Sequence, residues 1–112
     1  MSRRLIVAML GFSLALFLMP QIALAAEDHI AESIKHTEQA IEHGKMGHAD
    51  VLTEHAEAAL KHAEAGEKAQ ANPHTEQGIT HLKQAISEGK KGDAKAATTH
   101  AETALQHLEQ AK

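Results

Sequence analysis

Residues 28–67 align without a gap on residues 73–112, and a glycine-bounded tetrapeptide divides each copy: Gly44-Lys45-Met46-Gly47 and Gly89-Lys90-Lys91-Gly92. Such a chain folds as one unit made twice, so the unit sets the architecture. His29, Ile34, His36, Gln39, Ala40 and Ile41 recur as His74, Ile79, His81, Gln84, Ala85 and Ile86; Thr53, His55, Ala56, Glu57, Leu60, His62 and Glu64 recur as Thr98, His100, Ala101, Glu102, Leu105, His107 and Glu109. Alanine, glutamate, lysine and glutamine dominate both copies, and all are good helix formers. Glycine closes a helix in the left-handed conformation. Each copy therefore reads as helix, tight turn, helix. Asn72-Pro73 is a start signal, a cap followed by proline at the first helical position. The expected helices cover 28–43, 48–65, 73–88 and 93–111, with 66–71 as the linker, whose lysine and glutamine would allow the second helix to run on somewhat. Four helices with short connections predict an all-α fold: an up-down-up-down four-helix bundle made of two duplicated helical hairpins.

Apolar residues recur at helical spacing on one narrow face of each helix. They are Ile30, Ile34 and Ile41 with Thr37 between; Leu52, Ala56, Leu60 and Ala63; Ile79, Leu82 and Ile86; and Ala97, Ala101, Leu105 and Leu108. Few of these side chains are large, so marginal stability without a ligand is expected. Gly78, inside the third helix, costs about 1 kcal/mol relative to alanine. Thr53, Thr98 and Thr99 lie beside histidines in sequence. Sequence neighbours point to different helical faces, so these threonines read as helix surface.

The ten histidines follow a second pattern. His29, His36 and His43 precede the first turn at a spacing of seven, and His48, His55 and His62 follow it at the same spacing. Seven residues are close to two helical turns, so each run makes one stripe along a helix. Folding back at the turn sets His43 against His48, His36 against His55 and His29 against His62. In the second copy His81 meets His100 and His74 meets His107. Its third rung is Glu88 with Asp93, a carboxylate pair at the turn.

The stripes lie roughly 90–120° to one side of the apolar face, so packing does not require them. A single histidine there would ordinarily be a solvated or packed edge residue. Ten in register over a duplicated unit call for another account, and histidine-rich tracts without cysteine read as metal-binding. Rungs two turns apart on one helix are separated by about 10.5 Å. That spacing predicts separate His–His sites, up to five, rather than one cluster. Glu32, three residues after His29 and four before His36, is the candidate carboxylate ligand. Imidazole suits Cu(II), Ni(II), Zn(II) and Co(II), and the Irving–Williams order puts Cu(II) first. The chain has no cysteine, and Met46 is the only methionine after the leader, so thiolate sites, Cu(I) and iron–sulfur clusters are disfavoured.

The first 26 residues carry an address. Arg3-Arg4 is a basic head, Leu5 to Met19 is apolar apart from Gly11 and Ser13, and Ala23-Leu24-Ala25-Ala26 follows Pro20. That order is a signal peptide for export, and its apolar part is short of the roughly 20 residues a membrane span needs. Residues 27–112 then form the histidine-rich domain, outside the cytoplasm and free of the membrane. That domain has nine lysines against fifteen acids, a formal charge of −6, and no arginine or aromatic residue. Nucleic acid is excluded as a partner, since it calls for a basic face and stacking platforms. Divalent cations are favoured. No cysteine nucleophile, glycine-rich phosphate loop or strand supports an enzyme.

The repeated His-Thr-Glu-Gln-Ala-Ile-Glu-His of residues 36–43, the heptad histidines and the signal peptide resemble the small metal-binding proteins of ammonia-oxidising bacteria. That resemblance implies a monomeric periplasmic four-helix bundle that binds several divalent ions, copper preferred, and takes part in copper handling. Two readings of the residues remain: a metal-binding protein that buffers or sequesters Cu(II), and a pH-responsive structural or chaperone-like protein in which protonated histidines loosen the bundle.

Overall fold

The computed structural model describes the backbone of residues 2–112 and the side chains of residues 24–112; the signal peptide expected over 1–26 lies, up to residue 23, outside the described side chains. Four helices follow one another: α1 (Ser2–Lys45), α2 (Ala49–Ala69), α3 (Pro73–Lys90) and α4 (Ala94–Gln110). Among the described residues there is no strand. Each helix packs on the next, and α4 closes the ring on α1. Short connections make neighbours antiparallel, so the bundle runs up-down-up-down as the duplication requires.

Both hairpin turns have the same mechanism. Gly47 and Gly92 sit at φ +81° and +84°. The Gly47 amide donates to Gly44 O at 3.0 Å and the His48 amide to His43 O at 3.0 Å; Gly92 and Asp93 repeat this to Gly89 and Glu88. This double bond pattern closes a helix through a left-handed residue, and glycine takes that conformation without penalty. At α3, Asn72 accepts from the His74 amide at 2.8 Å with Pro73 beginning the helix. The second helix does run on into the linker: α2 continues to Ala69 and leaves only residues 70–72. Gly66 does not end the helix. It is buried, and a Cβ there would lie 2.8 Å from Ile30 Cδ1, so α1 packs where a side chain would have been.

The core is narrower than the sequence pattern implied. Ala40, Ala59, Ala85 and Ala104, absent from the expected faces, are fully buried, while Leu60, Ile79 and Leu105 are only half-buried. Interaxial distance depends on the side chains at the crossing, so alanine seams draw the helices together and push larger residues to the edge. Thr53 and Thr98 correct the surface reading, being only 8% exposed; Thr99 is exposed. Their hydroxyls donate to Ala49 O at 2.7 Å and Ala94 O at 2.6 Å. Each fits against a glycine of the other hairpin: Thr98 against Gly44, Thr53 against Gly89, where a Cβ would collide with the hydroxyl. Gly78 is likewise a packing residue, since its Cβ would lie 2.9 Å from the Leu108 side chain.

Candidate metal-binding site

The histidines flank the alanine seams. The α1–α2 groove and the α3–α4 groove are opposite sides of the ring, and each carries one set. Nine of the ten histidines are half-buried; His48, at the turn, is exposed. The expected rungs are all close: ring centroids are 5.5 Å apart for His29–His62, 6.0 Å for His36–His55 and His43–His48, 6.4 Å for His74–His107 and 6.1 Å for His81–His100.

The rungs are not isolated. His36 lies 5.6 Å from His62, His43 lies 5.4 Å from His55, and His81 lies 5.4 Å from His107. These diagonals match or beat the rungs, and their rings are nearly parallel, at 8°, 10° and 7°. Two histidines on one helix remain about 10.5 Å apart. Steps of 5.5 Å and 5.6 Å from His29 through His62 to His36 therefore nearly span that distance in a line. The two stripes interleave. The first hairpin holds a single file, His29–His62–His36–His55–His43–His48, and the second holds His74–His107–His81–His100. This corrects the expectation of separate rungs: the 10.5 Å argument holds along one helix, but a stagger of about half the repeat places an imidazole of the other helix in each gap.

The ring nitrogens are set for ligation. Nδ1 of His36, His43, His74, His81 and His107 is buried with no hydrogen-bond partner. Buried polar atoms are normally paired, and an orphan costs about 1–3 kcal/mol. A bound ion would satisfy these lone pairs. Nδ1 of His29 and Nδ1 of His62 lie 3.3 Å apart. Two nitrogens each about 2.0–2.1 Å from one tetrahedral ion stand at about that separation. Among the described residues, one oxygen of Glu32 and one nitrogen each of His36 and His62 lie within 4.8 Å of one another. Glu32 is exposed, so its carboxylate reaches over the file from the solvent side.

His81 is held below the usual imidazole pKa of 6.5, chiefly by burial, then by the neighbouring charges of His107 and His100, against a hydrogen bond it donates to the Gln84 side chain, which raises it. Its neutral, ligand-competent form therefore persists to lower pH. At the second turn the two carboxylates of the expected third rung each have another partner. Glu88 binds Lys91 at 3.3 Å, and Asp93 accepts from the Ala96 amide at 3.0 Å as the cap of α4. The interleaving and the diagonal pairs were missed in the sequence. The signal available was the period itself, since two seven-residue stripes pair equally well level or staggered.

A four-helix bundle with two files of imidazoles and unsatisfied inward nitrogens belongs among the metal-binding bundles. The sequence profile of the small metal-binding protein family matches residues 3–111, and the chain belongs to that family. No curated protein matches the chain. Among the described residues, no helix is long and apolar enough to cross a membrane.

Proposed function

We propose that the chain is a periplasmic protein that reversibly binds several divalent ions through its histidine files, Cu(II) ahead of Ni(II), Zn(II) and Co(II), and so buffers or sequesters copper rather than catalysing a reaction. The observation that carries this reading is the run of half-buried imidazoles in which Nδ1 of His36, His43, His74, His81 and His107 is buried without a partner. Copper preference follows from nitrogen ligands and the Irving–Williams order. A periplasmic address follows from the basic, apolar and small-residue order of the first 26 residues. Imidazoles that are half-buried rather than fully enclosed suit release as well as capture.

The test is a calorimetric titration of the mature chain with Cu(II) at pH 7, repeated with His36 and His55 both changed to alanine. The parent binds several equivalents and the double variant loses about one, because His29–His62 and His43–His48 survive as pairs. Absence of high-affinity binding in the parent defeats the proposal.

A further inference from the structure

The two files have almost the same imidazole geometry where they correspond. His36–His62 and His81–His107 match through the 45-residue offset, at 5.6 Å and 5.4 Å with rings 8° and 7° from parallel. Nδ1 of His36, His81 and His107 is buried without a partner. Among the described residues, only the first pair has an anionic oxygen grouped with it, from Glu32. The matching position in the second copy is Gln77, which is exposed like Glu32. A glutamine offers a neutral carbonyl where glutamate offers a full negative charge, and charge decides the attraction for a divalent ion near a surface.

We propose that the first ion taken up sits across the diagonal, between His36, His62 and Glu32, and that the second file lacks an equal site because Gln77 stands where that glutamate would be. The proposal rests on the reading of the chain as a divalent-metal binder. It also fixes the order of loading. A neutral imidazole has one lone pair, so it holds one ion at a time. An ion on His36 and His62 withdraws His36 from the rung with His55 and His62 from the rung with His29. The first file then pairs as 36–62 and 43–55 and leaves His29 and His48 single at its ends. A third ion on that file requires a shift to the rung register, at the expense of the carboxylate contact. Overlapping sites of this kind bind the first ion tightly and later ones more loosely, which suits a buffer.

The experiment uses Zn(II), which is diamagnetic and reports on individual imidazoles. Below one equivalent, nitrogen-detected NMR of the mature protein should show His36 and His62 shifting together while His29 and His55 lag. A competition titration against a chromophoric chelator should show Glu32→Gln weakening the first equivalent by at least about tenfold, the lower end of what removing a supporting group costs a metal site. Gln77→Glu should add a second equivalent of comparable affinity. Both positions are exposed, and far-ultraviolet circular dichroism checks the fold of each variant. His29 and His62 shifting first, or affinities unchanged in both variants while the parent binds, overturns the diagonal site and leaves the metal-binding reading standing. No binding of Zn(II) or Cu(II) by the parent overturns both.

Discussion

Matched through their 45-residue offset, the two hairpins share a backbone and divide its uses. The first places histidine on both sides of its turn, His43 and His48, and so extends its file to six imidazoles. His48 occupies the N-cap position of α2 without making a side-chain cap. The second has Glu88 and Asp93 there; Asp93 caps α4 and Glu88 pairs with Lys91. The packing differs in the same direction. Ser33 and Ala63 of the first copy correspond to Gly78 and Leu108 of the second, where the glycine admits a fully buried leucine. Ser33 instead donates to Ala59 O at 2.7 Å. A duplicated scaffold lets one copy favour ligands and the other favour stability.

The largest effect expected is from metal. At a free concentration 100 times Kd, each independent site adds about 2.7 kcal/mol to the folded state. Thermal melts with excess Cu(II) should therefore rise by many degrees. His36→Ala with His62→Ala should remove more of that rise than His81→Ala with His107→Ala, if the first file binds more tightly. Equal losses would erase the division of labour. Next in size are the glycines where the hairpins meet. A Cβ at Gly44 would collide with both Thr98 Oγ1 and Leu52 Cδ1, the latter at 2.6 Å; a Cβ at Gly89 would collide with Thr53 Oγ1 and sit tightly at 3.3 Å from the Ala49 carbonyl oxygen, with Leu52 Cδ2 at 3.4 Å. Overpacking costs about 1–3 kcal/mol, and alanine returns at most about 1 kcal/mol of helix propensity. Gly44→Ala should destabilise more than Gly89→Ala in denaturant unfolding, and Thr98→Ala should recover part of the loss.

Much of this was legible in the chain. The 45-residue repeat and its glycine turns dictated four helices and their antiparallel order, because glycine at 47 and 92 leaves the backbone one inexpensive way to reverse. Heptad spacing put the histidines on facing stripes. What escaped was axial position. A seven-residue period defines a stripe but not its level against the partner stripe, and the stagger comes from the turn geometry and the alanine seams. Thr53 and Thr98 were misread for a related reason: a polar side chain that bonds its own helix at i−4 can be buried, and the cavity that accepts it is a glycine on another helix. Gln77 drew no notice, since its meaning depends on Glu32 lying beside a diagonal that only three dimensions reveal.

The turn residues allow a direct exchange between the two copies. Replacing a good N-cap with a residue that cannot cap costs about 0.5–2 kcal/mol. Asp93→His should destabilise the metal-free bundle by that order and lengthen the second file by one imidazole. His48→Asp should stabilise it by a similar amount and shorten the first. Urea unfolding reads the first quantity and a Cu(II) titration the second. If stability and capacity move together, the two copies do not trade one for the other.

The smallest effect expected is the pH dependence that His81 contributes. His81 carries a pKa below 6.5 in the folded chain, first because burial disfavours its charged form and then because His107 and His100 repel the added charge. An unfolded histidine titrates near 6.5, so between the two values the unfolded chain binds more protons. The contribution of His81 is therefore complete above pH 6.5 and is lost as pH falls through 6.5 towards the folded value, below which it changes no further. An NMR titration of the metal-free protein should find His81 protonating below 6.5. His107→Ala should move it up towards 6.5 only in part, since burial is the larger cause, and Gln84→Ala should move it further down. Protons compete with metal for the same nitrogen, so a depressed pKa leaves His81 available at acidities where an ordinary imidazole is lost.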